Sequence, residues 1–101
     1  MIISGAENIY PVEVEQVISG VAGVAEVAVV GAPDAQWGEA VVAFVVRQPG
    51  SEVDETRILE HCRAKLAGYK KPRHIFFVEE LPRTSNNKVS REQLRRRVRP
   101  A

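Results

Sequence analysis

The chain has 101 residues, 45% hydrophobic and 27% charged, with a net charge of +1 and a single cysteine, Cys62. These values describe one small globular domain that buries about two thirds of its unfolded surface, and they exclude a disordered polymer, an internal disulfide and a large enclosed multi-substrate active site. Cys62, His61 and His74 have no metal-ligand spacing, so no metal site is expected.

The lone cysteine fits a reducing cytoplasm. No signal peptide is read before Ser4-Gly5, and the longest apolar run, Ala40 to Val46, is too short to span a bilayer, so no transmembrane segment is expected. The small net charge hides an asymmetry: residues 1–60 carry ten acids against Arg47 and Arg57, whereas residues 61–101 carry twelve Lys or Arg against Glu79, Glu80 and Glu92. One end is suited to anions. No aromatic residues interleave with the basic ones, and Trp37 lies in the acidic half, which favours the phosphates of a small cofactor over nucleic acid.

Residues 2–10 start as a short apolar strand and then turn at Gly5, where a bare backbone allows close approach. Pro11 opens a helix, because its missing N–H is not needed in the first turn; Glu13 and Glu15 favour the positive end of the dipole, and Val14, Val17, Ile18 and Val21 form an apolar stripe. Gly20 and Gly23 end it. Val24 to Gly31 is β-branched and reads as a strand closed by Ala32-Pro33-Asp34, with a loop from Ala35 to Glu39. Ala40 to Val46 is almost unbroken apolar sequence, the pattern of a central strand covered on both faces.

Asp54 is placed to cap a helix over about 55–67, with Ile58, Leu59, Cys62 and Leu66 inward and Gly68 as its stop, which makes Cys62 a buried small hydrophobe rather than a nucleophile. His61 belongs on that helix's surface. Tyr69-Lys70-Lys71-Pro72-Arg73 forms a basic linker into a third core strand, Ile75 to Val78. Ser90 is placed to cap a last, marginal helix over 91–98, with Leu94 and Val98 as its apolar contacts and Arg95, Arg96, Arg97 and Arg99 around a solvated end. The order predicts an α+β domain: a small sheet of three main strands flanked by helices, plus a short N-terminal hairpin.

Between strand and final helix lies Pro82-Arg83-Thr84-Ser85-Asn86-Asn87-Lys88-Val89-Ser90-Arg91. Pro82 stops the strand, Thr84 and Ser85 favour local hydrogen bonds, and Asn86 and Asn87 accept a left-handed backbone. Lys88 is therefore held at a loop tip. It is either a solvated surface lysine or a point charge presented to phosphate or carboxylate oxygens on another surface.

Three blocks together resemble the C-terminal domain of the adenylate-forming superfamily of acyl-CoA synthetases, peptide-synthetase adenylation domains and luciferases. They are Ile2-Ile3-Ser4-Gly5-Ala6-Glu7-Asn8-Ile9-Tyr10-Pro11, then Pro33-Asp34 with Trp37-Gly38-Glu39, and finally Leu81-Pro82-Arg83-Thr84 through Lys88 to Leu94-Arg95. Within the superfamily, the first block and Gly68-Tyr69-Lys70-Lys71-Pro72 are most similar to fatty-acyl and aryl-CoA ligases. The resemblance implies a two-step reaction, in which a carboxylic acid and ATP with Mg give an acyl-adenylate and pyrophosphate, and the thiol of coenzyme A then displaces AMP.

It further implies that residues 1–101 form a mobile lid over a large N-terminal domain, absent here, that supplies the ATP, metal and acyl contacts. The family's hinge is expected immediately before Met1. By the same resemblance Lys88 is the catalytic lysine of adenylation, and Ser4, Gly5 and Ala6 line the pantetheine tunnel. Lys70, Lys71 and Arg73 are expected near the nucleotide phosphates of coenzyme A. Family members usually have glycine where this chain has Asn87, and many have a second glycine where it has Ala6; the Asn87 turn is expected to survive, while a methyl group at Ala6 bears on the tunnel. The other readings are the lid of a carrier-protein-loading adenylation enzyme and a free-standing module that binds an acidic partner or nucleic acid.

Overall fold

The computed structural model describes residues 1–5 and 7–98, apart from the side chain of Tyr69. Along the chain the elements are β1 (Ile2–Ser4), β2 (Glu7–Ile9), α1 (Pro11–Ser19), β3 (Val24–Asp34), β4 (Gly38–Arg47), α2 (Glu55–Lys65), a 3₁₀ turn (Gly68–Lys70), β5 (His74–Phe77) and α3 (Arg91–Arg97). They form the expected α+β domain around one mixed sheet of order β2-β1-β4-β3, with β5 parallel to β4. β1 and β2 make the N-terminal hairpin, and β3, β4 and β5 are the three main strands.

β4 is covered on both faces, as its unbroken apolar run predicts. Val41, Ala43 and Val45 pack with Val14 and Ile18 of α1 and Ile58 and Cys62 of α2. Val42 and Phe44 point the other way, toward Leu81 and Leu94 of the C-terminal segment. This alternation follows from the two-residue period of a strand, and each such fully buried Val or Ile contributes roughly 1.5–3 kcal/mol. The caps are as expected: the Asp54 side chain accepts from Arg57 N–H, and Ser90 Oγ accepts from Gln93 N–H.

Several boundaries differ from expectation; β5, for one, runs His74–Phe77 and not Ile75 to Val78. β3 continues through Ala32-Pro33-Asp34 instead of closing there, and β4 starts at Gly38, leaving only Ala35, Gln36 and Trp37 as the loop. β3 is an edge strand whose Val29 N–H points away from β4, toward Glu15. Pro33 shares that parity, so its missing donor faces outward and no ladder bond is lost. Helix α2 ends at Lys65, where Leu66 turns to φ −123°, and Gly68 opens the 3₁₀ turn rather than stopping the helix.

Candidate functional site

The Lys88 turn is a short hairpin. Arg83 and Val89 form an antiparallel bridge, Thr84 N–H donates to Lys88 O at 2.7 Å, and Asn87 N–H donates to Thr84 O at 2.9 Å. Ser85, Asn86 and Asn87 are thus a three-residue loop whose last member takes the left-handed backbone, at φ +61°. Asparagine tolerates that region better than other residues with a side chain, so the turn survives without glycine, as expected. Lys88 follows it and is exposed.

Arg83 ties this turn to the sheet: Nη1 lies 3.4 Å from Asn87 O, and Nη2 pairs with Glu26 on β3. Leu81 and Leu94, buried against Val42 and Phe44, hold the two flanks of the segment.

The Gly5 turn joins β1 to β2 and rests on the β3–β4 hairpin tip. That tip is shaped by Asp34, whose carboxylate accepts from Gln36 and Trp37 N–H, both at 2.9 Å. These two bonds, the Trp37 one foremost, with Arg73 and His74 nearby, hold the Asp34 carboxyl below its ordinary range. Trp37 O in turn accepts Gly5 N–H at 2.7 Å, and Ser4 pairs with Gly38 across β1 and β4. Gly5 has φ +62°, which favours glycine, and a Cβ there would stand 3.2 Å from the Trp37 ring, so a side chain would be strained and would crowd the ring.

Arg73 completes this end. Its guanidinium lies 5.0 Å from the centroid of the Trp37 ring, and its N–H is fixed to Val41 O at 2.8 Å. Lys71 and Arg73, with Leu59, Gly68 and Pro72, line a cavity of about 470 Å³. Lys70 turns elsewhere: its Nζ bonds both carboxylate oxygens of Glu13 on α1, at 2.8 and 3.2 Å. Ala6 lies outside the described residues.

The sequence-predicted residues therefore fall into two groups. Gly5 and Arg73 meet around Trp37, with Ser4 paired to the adjoining Gly38, whereas Lys88 stands apart on the turn tethered through Arg83 to Glu26. Glu26 and Asp34 are eight residues apart on β3, about 26 Å of extended strand. The two turns are anchored near opposite ends of one rigid ladder. Trp37 as a bridge and Arg83 as a tether arise from tertiary contacts, and the Asp34-x-x-Trp37 spacing of an Asx turn is the sequence signal for the first.

Comparison with known proteins decides the family. The family described as AMP-binding enzyme C-terminal domain matches residues 13–88. The chain belongs to that family. A 4-chlorobenzoate–CoA ligase from Pseudomonas sp. (strain CBS-3) is 50% identical to this AMP-binding enzyme C-terminal domain over 99 residues, 97% of the chain and 19% of that protein. A long-chain-fatty-acid–CoA ligase from Mycobacterium tuberculosis is 50% identical over 95 residues, 94% of the chain and 19% of the relative.

Among solved structures, a fatty acyl CoA synthetase from Mycobacterium tuberculosis superposes with a TM-score of 0.91 at 48% identity, covering 99% of the chain and 20% of that protein. ATP-bound MatB from Rhodopseudomonas palustris superposes at 0.92 with 41% identity, covering 94% and 19%. The chain thus spans about a fifth of the length of these relatives. Among the described residues no group of three or more His, Cys, Asp or Glu is placed to hold a metal ion, and no helix is long and apolar enough to cross a membrane.

Proposed function

We propose that residues 1–101 are the mobile C-terminal lid of a coenzyme A ligase that converts a carboxylic acid, ATP and coenzyme A to the acyl-CoA, AMP and pyrophosphate. The large N-terminal domain is the partner that binds ATP, magnesium and the acid. This lid adds one group to each half-reaction. Lys88, a cation on a fixed hairpin, neutralises charge between the carboxylate and the α-phosphate during adenylation; a preorganised contact of this kind supplies roughly 3–4 kcal/mol. Ser4 and Gly5 border the path of the pantetheine thiol, with Ala6 beside them, where a bare backbone at Gly5 leaves room.

Lys71 and Arg73 meet the nucleotide phosphates of coenzyme A at the cavity they line, and the Arg73 guanidinium is steadied by the Trp37 ring. Lys70, expected in the same role, is engaged with Glu13 and acts at most as a brace for the linker. The Lys71 and Arg73 donors suit anionic phosphates.

The observation that carries the reading is the anchoring of the Lys88 and Gly5 turns near opposite ends of β3, which suits a lid that presents one end at a time. Rapid-quench measurement of both half-reactions in the full-length protein tests it. Lys88→Ala is expected to slow adenylate formation by about 10²-fold while sparing thioester formation from added acyl-adenylate. Gly5→Leu, which puts a side chain at φ +62° against Trp37 and in the thiol path, is expected to do the reverse. Equal loss of both steps in each variant would overturn the assignment.

A further inference from the structure

Gly31 is buried in the middle of β3, and its φ lies outside the left-handed region, so its backbone does not require glycine. Space does. A Cβ at Gly31 would fall 2.5 Å from Glu39 Oε2, 3.2 Å from Glu39 Cδ and 3.3 Å from Ile2 Cγ1. The missing side chain is a berth for the Glu39 carboxylate, which lies half-buried over β3 although it belongs to β4.

Its other oxygen has a defined task. The ladder between β1 and β4 carries a single register pair, Ser4 with Gly38. Ile3 N–H, the next donor, is taken by Glu39 Oε1 at 2.9 Å, so a side chain replaces the backbone acceptor that the ladder no longer offers. Ile3 is two residues from Gly5, whose own N–H donates to Trp37 O at 2.7 Å, and with the Ser4–Gly38 pair these links hold the turn to the hairpin tip. The carboxylate is fixed on one side by the Gly31 berth and on the other by the strand that leads into the Gly5 turn.

We propose that Glu39, seated on Gly31, is a positioning residue for the Gly5 turn, acting on the thioester step without touching substrate. This rests on the assignment of the Gly5 turn to that step. Glu39 carries a charge to a backbone amide, a stronger bond than a neutral acceptor makes. Gly31→Ala is expected to act through Glu39, because the atom it meets first is the end of a flexible side chain and not backbone.

The test has two arms. In the 101-residue chain, amide hydrogen exchange at Gly5 is expected to quicken about tenfold in Glu39→Ala and in Gly31→Ala, with the double variant no faster than Glu39→Ala alone, because local opening governs exchange and the two changes remove one contact. Glu39→Gln, whose amide oxygen still accepts Ile3 N–H, is expected to restore most of the protection. In the full-length protein, Glu39→Ala is expected to raise KM for coenzyme A about tenfold with adenylate formation unchanged, the effect of a misplaced path rather than a lost fold.

Unchanged Gly5 exchange in Glu39→Ala, or additive effects of the two substitutions, would overturn the positioning role. So would equal loss of both half-reactions. If instead Gly5→Leu itself left thioester formation intact, the assignment of the Gly5 turn would fail, while the exchange arm would still decide whether Glu39 holds that turn.

Discussion

Arg91, at the start of α3, donates through Nη2 to both carboxylate oxygens of Glu15 on α1, at 2.7 and 2.8 Å. The same carboxylate accepts Val29 N–H at 2.8 Å, on the outer edge of β3. One acid thereby joins two helices to the sheet and covers part of an edge that would otherwise present an unpaired donor to other strands. Glu15 also fixes the segment that carries Lys88, since Arg91 is three residues beyond it.

The two partners are not equivalent. Removing Glu15 leaves Val29 N–H and the Arg91 guanidinium without their acceptor, whereas removing Arg91 leaves Glu15 still bound to Val29. Arg91 Nε is already buried without a hydrogen-bond partner among the described residues. Glu15→Ala is therefore expected to destabilise the chain by about 2–3 kcal/mol and Arg91→Met by about 1 kcal/mol. Urea unfolding of both variants checks the order, and an Arg91→Met loss equal to or larger than that of Glu15→Ala would contradict it.

Asn87 supplies the left-handed residue of the Lys88 hairpin at φ +61°. Asn87→Gly is expected to leave stability within about 0.5 kcal/mol, since glycine adopts this backbone without strain but loses more entropy on folding. Asn87→Val, β-branched and poorly tolerated there, is expected to lose about 1–2 kcal/mol. Thermal unfolding separates the two, and equal melting temperatures would show that the turn does not depend on this conformation.

How far these arrangements could be read from sequence depended on whether their cause was local. The apolar run of β4, the caps at Asp54 and Ser90 and the left-handed asparagine all follow from neighbouring residues, and each was legible. The extent of β3 was not, because Pro33 reads as a strand breaker unless the strand is known to be an edge. The ion pairs Glu13–Lys70, Glu26–Arg83 and Glu15–Arg91 span 57, 57 and 76 residues, and only the topology brings them together. That Lys70 turns from the linker to α1 was therefore not legible in the sequence.

The lowered Asp34 pKa gives the hairpin tip an acid limit. Two backbone donors, from Trp37 and then Gln36, favour the charged form, so the folded value lies below the unfolded one, whose ordinary value is 3.8. The resulting stability is present above the unfolded value and is lost as pH falls through the folded one. Chemical shifts of the Asp34 carboxyl and of the Trp37 amide are expected to titrate together, with a midpoint below 3.8. In Asp34→Asn the Trp37 amide is expected to show no such step; a wild-type midpoint at or above the ordinary value would remove this account of the tip.

The basic linker separates into cations with different work. Lys70 is braced against Glu13, a partly exposed pair, so Lys70→Met is expected to lower stability by no more than about 1 kcal/mol and to leave KM for coenzyme A nearly unchanged. Lys71 and Arg73 line one cavity, and Arg73→Gln or Lys71→Gln is expected to raise that KM several-fold at low salt and less at high salt, because phosphate contacts at an open surface are screened. Trp37→Ala removes the ring over which the Arg73 guanidinium rests, and it is expected to raise KM in the same direction without adding fully to Arg73→Gln, since the two act through one contact. Steady-state kinetics of the full-length protein at two ionic strengths checks the set. A KM that rises for Lys70→Met but not for Arg73→Gln would place the phosphate contact on the α1 side and away from the Trp37 end.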